Sequence, residues 1–340
     1  FPEIFGTNNP GGFTSILGNP PWEEVMVDED SFWATNEPGL YSLPQKQKLE
    51  RIEELANENK HLLNEYEQRV EDSEKLRNLL THGPYPDLNK GNADLYKAFS
   101  WRFWNLLNNG GVMGTVFPRN LIASKGSTAF RKEVIENGDF IEICQLTNNR
   151  NWVFDDVHPQ YTIALISVRK TGQPDDVIEM RGPFTSLHDY EKGIAEDPVV
   201  IPASALSKWS KELAFPLLRY QEMKKPFLQI GSHKKVSEIF NYQLIQGDFN
   251  GTTGRKKGFF SVDHENRPDN AIDVLGGASF NIWQSDTGKI KGWATKEIAY
   301  KELQRKRLSG VTKKRSPYYG RDLEYLKNEN TLPTEKIRLA

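Results

Sequence analysis

Four consecutive residues carry the most chemistry in this chain: Asn19-Pro20-Pro21-Trp22. An exocyclic amine on an aromatic ring, such as that of adenine, is a poor nucleophile because its lone pair is delocalised into the ring. A side-chain amide oxygen (Asn19) and a backbone carbonyl (Pro20) can accept hydrogen bonds from both amine hydrogens and so favour attack. Two prolines restrict the backbone and hold those acceptors in place before the reaction. The Trp22 ring can stack on the base. Neither a metal nor a strongly shifted general base is required, and positioning supplies much of the effect. The simpler reading of the same residues is a strand ended by prolines.

The elements around this loop place it. Phe13-Thr14-Ser15-Ile16-Leu17-Gly18 is short, apolar and β-prone, and reads as a buried strand that stops at the loop. Residues 45 to 80 lack Gly and Pro and space Leu49, Ile52, Ala56, Leu63, Tyr66 and Val70 at helical intervals. They predict one long amphipathic helix or a helical pair, interrupted in its seam by Asn59 and Ser73 and packed on the domain as an insertion. His82-Gly83-Pro84-Tyr85-Pro86 is a break. A helix over Asp94–Leu107 follows, with Asn109-Gly110-Gly111 as its expected glycine stop. Then come a strand (Val112–Phe117), a helix (about Ser127–Glu136), a strand (Phe140–Leu146) and a last strand (Tyr161–Val168) rich in β-branched residues. Strand, helix, strand, helix, strand, strand predicts a parallel α/β sheet with an added antiparallel strand. Such sheets bind ligands at the carboxyl ends of their strands, where the Asn19–Trp22 loop lies.

A base must leave its duplex to reach such a loop, at a cost of a few kcal/mol. One stacked ring returns only ~1–3 kcal/mol. A second aromatic wall is therefore wanted, and Trp152-Val153-Phe154 stands just before the last strand.

These residues resemble S-adenosylmethionine-dependent DNA adenine-N6 methyltransferases in which the catalytic domain precedes the target-recognition domain. The resemblance covers roughly residues 1–170. Asn19-Pro20-Pro21-Trp22 is similar to that family's catalytic motif, with Trp where Tyr or Phe is commoner. Asp94-Leu95-Tyr96-Lys97-Ala98-Phe99, its helix and the strand to Pro118 look like the next block. Val153-Phe154 and the following strand look like the block that supplies the stacking ring. The resemblance implies catalytic roles for Asn19, Pro20, Pro21 and Trp22, base stacking by Phe154, and cofactor contacts by Phe99 and Tyr96. It implies the C-terminal half of a Rossmann-like methyltransferase sheet with a helical insertion, followed by a mixed α+β recognition region. The corresponding boundaries are a partial catalytic domain over 1–172 (insertion 45–80), then a linker and the start of a DNA-recognition region over 173–340. The family's Phe-x-Gly-x-Gly cofactor turn is not found; Gly247 to Gly254 has the wrong spacing and reads as a loop. With Phe1 opening the chain abruptly, a fragment is expected, or a permuted relative whose cofactor motif follows the recognition domain.

Charge supports a nucleic-acid partner. The net charge is −2, yet Lys289 to Arg321 holds eleven Lys and Arg against Glu297 and Glu302. A basic segment of this kind can be an electrostatic footprint for DNA phosphates. Arg305, Lys306, Arg307, Lys313, Lys314 and Arg315 are its expected contacts; a solvated helix face is the bland alternative. The downstream layout, with Asp273-Val274-Leu275-Gly276-Gly277, Phe280 and Trp283, is similar to large methyltransferases of type IIG restriction–modification and of the BREX and DISARM phage-defence systems. Double-stranded DNA and other subunits of a defence system are the expected partners. A methyltransferase on an RNA base or a protein glutamine, and a non-catalytic DNA-binding or scaffold subunit, are the competing readings.

The remaining composition excludes other classes. A lone cysteine, Cys144, cannot form an internal disulfide or a multi-Cys metal site, and on a strand it reads as a buried thiol. The histidines show no zinc spacing, so no metal is expected. No apolar run approaches a membrane span and no signal peptide opens the chain, so a cytoplasmic place is expected.

Overall fold

The computed structural model describes residues 2–5, 11–239, 249–281, 284, 286–313, 316 and 318–332. These fall into two compact units, Phe1–Lys234 and Lys235–Ala340.

The first unit is built on a six-stranded mixed sheet. In chain order its main elements are β1 (Phe13–Gly18), α1 (Glu29–Asn36), α2 (Gln45–Glu58), α3 (Lys60–His82), α4 (Leu95–Leu106), β2 (Leu107–Pro118), α5 (Thr128–Asn137), β3 (Gly138–Thr147), β4 (Thr162–Lys170), β5 (Ile178–Phe184), α6 (Leu187–Ile194), β6 (Val199–Ile201) and α7 (Lys224–Ser232). The spatial order is β1-β2-β4-β3-β5-β6. β1 runs parallel to β2, and β4 lies antiparallel between β2 and β3. β3 is parallel to β5, and β6 closes antiparallel on β5. The expected α/β architecture and the added antiparallel strand are both present. β1 is an open edge: among the described residues it pairs only with β2, and Leu17 is 89% exposed.

Strand periodicity gives the sheet two faces. One carries Met113, Phe117, Ile143, Ala164, Ile166 and Val168, all buried in the main core with Trp101 and Trp104 of α4 and Phe130 and Val134 of α5. The other carries Cys144, Leu146, Ile163 and Phe184, covered by Trp152, Val153, Phe154 and Tyr190. Gly138 is demanded by crowding: a Cβ there would stand 2.3 Å from the Arg169 carbonyl oxygen and 2.5 Å from the Trp104 ring.

Two expectations need correction, and a third, left open between one helix and two, is resolved. The Gly110 region does not cap a helix. α4 ends at Leu106 and β2 begins at once, while Gly110, at φ +85°, sits where β2 bulges between its pairings with Phe13 and Ser15. The helix over 45–80 is a pair, broken at Asn59, whose backbone leaves the helical region and whose Oδ1 caps the second helix by accepting from the Leu62 amide at 3.1 Å. Phe32, Trp33, Leu40, Ile52, Leu55 and Leu62 form a separate small core for this insertion. Finally, the sheet does not stop at 172. The Asp175 amide donates to Asp139 at 2.6 Å, and Ile178, Met180, Val199 and Ile201 extend the same core.

The second unit holds a two-stranded antiparallel ribbon, β7 (Ala271–Val274) with β8 (Gly292–Thr295), and the helix α8 (Lys296–Gly310). Phe260, Ala294, Ala299, Tyr300, Leu303 and Leu332 make its core. Among the described residues no helix is long and apolar enough to cross a membrane.

Candidate active site

β1, β2 and β3 point the same way and β4 runs against them. Four segments therefore meet at one edge of the sheet: Asn19–Trp22 after β1, Arg119 after β2, Asn148–Phe154 after β3, and Tyr161 just before β4. This is the carboxyl edge at which open α/β sheets take ligands.

The Asn19 side chain is exposed and makes no hydrogen bond among the described residues, and neither does the Pro20 carbonyl. Both acceptors are thus available. Pro20 itself is buried, which fixes the loop, and Pro21 is exposed. Trp22 is half-buried, with its indole N–H donating to the Val116 carbonyl at 3.4 Å. Its ring meets Phe154 edge-on at 5.8 Å between centroids (interplanar angle 86°). It also lies nearly parallel to Tyr161, at 6.2 Å and 16°. Phe154, the ring to which the resemblance points, is thus in contact with Trp22, and Tyr161 extends the cluster.

One residue unanticipated in the sequence holds this arrangement. Asn148 is fully buried and uses its whole hydrogen-bonding capacity on the loop that follows it. Its Nδ2 donates to the carbonyls of Phe154 and Val157, both at 2.8 Å. Its Oδ1 accepts from the amides of Val153 and Phe154, both at 3.0 Å. The backbone amide of Asn148 in turn donates to the Tyr161 carbonyl at 2.9 Å. Arg150 and Asn151 take left-handed conformations (φ +57° and +59°), turning the chain back within this loop. Two adjacent Asn residues before a turn, Asn148-Asn149, are the only sequence signal for it.

The two residues expected at the cofactor part company. Phe99 is half-buried beside Phe103, at 5.7 Å between ring centroids, and Phe103 packs under Gly18 of β1. Tyr96 faces the interior and is only 2% exposed. Burial pushes its phenol up, and Ser127 and Ser124 hydrogen-bond it. Tyr96 therefore supports the α4 packing, because a ring enclosed in the core offers no face to a ligand.

The basic stretch also divides. Arg307 is not a surface cation as expected: it is 3% exposed, donates to Thr331 Oγ1 at 2.8 Å and to the Thr331 carbonyl, and lies over the rings of Tyr318 and Tyr325. Arg305 is exposed but forked onto Glu302 at 2.6 and 2.7 Å. Lys306 lies over the Phe249 ring at 5.4 Å. Lys313 is exposed. Lys314, Arg315 and Trp283 lie outside the described residues.

The carboxyl edge of this α/β sheet thus presents an Asn-Pro-Pro-aromatic loop against a second aromatic residue. Residues 66–154 match the family of the Eco57I restriction-modification methylase. The matched segment, about a quarter of the chain, takes in Tyr96, Phe99, Asn148 and Phe154 and leaves out Asn19–Trp22. No curated protein matches the chain. Similar solved structures include a modification subunit of a putative type I restriction enzyme from Vibrio vulnificus YJ016, at 15% identity and a TM-score of 0.32, covering 64% of this chain and 40% of that one. The type IIG restriction endonuclease BpuSI is another, at 15% identity and a TM-score of 0.35, covering 92% and 36%. A third is a nuclease-deletion mutant of the type ISP restriction-modification enzyme LlaGI in complex with a DNA substrate mimic, at 15% and 0.34, covering 65% and 19%. The chain spans less than half the length of each.

Proposed function

We propose that this chain supplies the base-binding and catalytic loop of an S-adenosylmethionine-dependent DNA adenine-N6 methyltransferase acting in restriction–modification or phage defence. The observation that carries the proposal is the Asn19–Trp22 loop, its two acceptors unengaged, set against Phe154 at the carboxyl edge of the sheet. The target adenine enters this edge after leaving its duplex. Trp22 and Phe154 receive the base, and together they recover more of the flipping cost than one ring. Asn19 Oδ1 and the Pro20 carbonyl accept the two amine hydrogens, directing the nitrogen lone pair out of the ring plane. The acceptors are already in place, so little reorganisation is needed as charge develops.

The residues present complete only part of a cofactor site. Phe99, backed by Phe103, fits one aromatic wall against an adenine ring. Tyr96 does not, and a Phe-x-Gly-x-Gly turn is absent from the sequence. Residues 235–340 are assigned to the start of the DNA-recognition region, with duplex DNA and other defence subunits as partners.

The test is transfer of labelled methyl from S-adenosylmethionine to mixed-sequence duplex DNA by the intact protein. Label on adenine N6, lost on Asn19→Ala by roughly 10²–10³-fold as for removal of one preorganised polar group, supports the reading. Label on RNA or protein would keep the chemistry and change the substrate. No label on any of the three would favour a DNA-binding or scaffold subunit.

A further inference from the structure

Arg119 is a cation with no counterion among the described residues. It follows the end of β2 directly, and its backbone amide donates to the Thr162 carbonyl at 2.9 Å. Thr162 adjoins Tyr161, whose ring lies along Trp22, and Trp22 is itself tied to β2 at Val116. Arg119 thus stands on the same sheet edge as the aromatic cluster. Its side chain makes no ion pair or hydrogen bond among the described residues, and its Nε is enclosed with no acceptor. Arg119 as a whole is partly exposed, so its side chain is held by protein at Nε and reaches solvent elsewhere. The segment 119–127 adds Lys125, which is exposed, and contains no acid.

An anchored guanidinium suits a phosphate oxygen better than a mobile surface lysine does, because its geometry matches the anion and less freedom is lost on binding. We propose that Arg119 binds a backbone phosphate of the DNA strand whose base enters beside Trp22 and Phe154. This rests on the DNA reading above. It adds a fixed electrostatic anchor next to the base site, so that the strand is gripped beside the nucleotide that turns out.

The test is fluorescence anisotropy of a labelled duplex titrated with the full chain across a series of salt concentrations. Arg119→Gln and Arg119→Lys are compared with Lys132→Ala on the exposed face of α5. If the proposal holds, Arg119→Gln weakens binding about five- to tenfold at low salt, and the slope of log affinity against log salt shrinks by ~0.9, the value for one phosphate contact. Arg119→Lys keeps the slope, and Lys132→Ala changes nothing. If wild type binds DNA with an unchanged slope in Arg119→Gln, the phosphate contact is overturned and the DNA reading stands. The same holds if Arg119→Gln weakens binding without altering the slope, or weakens binding of S-adenosylhomocysteine instead, which would assign the guanidinium to a carboxylate. If wild type shows no salt-dependent binding to duplex DNA, the DNA reading falls and the subsite with it.

Discussion

Asn148 shows how a single buried amide can set a reactive surface. It touches no expected ligand, yet it holds both the carbonyl and the amide of Phe154, the ring that faces Trp22. Asn148→Ala strands two carbonyls and two amides in a partly buried loop, at a cost of roughly 1–3 kcal/mol for each group that water does not reach. The expected outcome is a lower urea midpoint. With 2-aminopurine at the target base, the rise in fluorescence on binding should also shrink, since a displaced Phe154 holds the base outside the duplex less well and more of it stays stacked and quenched. Stability loss with full 2-aminopurine response would make Asn148 a packing residue only. Cys144 gives a pH prediction at the same scale. Burial, reinforced by Glu142, lifts its thiol from 9.0 to about 12. The folded state therefore keeps a proton that the unfolded chain releases, and stability falls as pH rises from about 9 towards 12. Cys144→Ala should flatten part of that slope in urea melts between pH 8 and 11. An identical slope in the variant would place the titration elsewhere, with Tyr96 the next group to test because its phenol is also raised.

At the scale of elements, the insertion over α1 to α3 is a small structure with its own core. Asn59 ends α2 and caps α3, so replacing it by Ala should cost ~1 kcal/mol, as for loss of an N-cap. Hydrogen exchange is expected to quicken in α2 and α3 and to stay unchanged in β2 and β4, whose residues pack in a different cluster. Uniform quickening would show that the insertion and the sheet open together. Arg131, on α5, does comparable work for the sheet. Fully buried, it donates to the carbonyls of Leu121, Ser124 and Glu212 at 2.6–2.7 Å, tying the loop after β2 and the segment before Phe215 to one helix. Burial lowers its guanidinium to about 10, so it remains the charged donor at neutral pH.

At the scale of the whole molecule, charge and function separate more sharply than a count of basic residues implies. The segment Lys289–Arg321 looks uniformly cationic, but Arg307 is enclosed and Arg305 is neutralised by Glu302. Arg307→Ala should destabilise the second unit by roughly 1.5–3 kcal/mol, the range for hydrogen bonds to a charged group, with little change in the salt slope of DNA binding. Lys313→Ala should do the reverse, lowering the slope by ~0.9 while leaving the melting curve alone. Thermal melts and anisotropy on both variants decide this; a slope change in Arg307→Ala without unfolding would return it to the DNA surface.

The sequence by itself determined the alternation of strands and helices in the first unit and the place of the Asn19–Trp22 loop. These follow from local patterns: apolar runs of strand length, helical spacing, and prolines that can sit only at an element's end. Tertiary structure alone decided what depends on distant partners. β5 and β6 belong to the first sheet because Ile178, Met180, Val199 and Ile201 complete its core, although the turn-rich approach at Gly172–Asp176 reads as a boundary. Tyr96 and Phe99 are three residues apart on one helix, yet one is enclosed and the other is not, since the face each meets is built from other segments. Arg305 and Arg307 look alike in the chain and differ because Glu302 meets one and Thr331 the other. Burial and charge pairing are properties of neighbours in space, and a chain written in order does not list those neighbours.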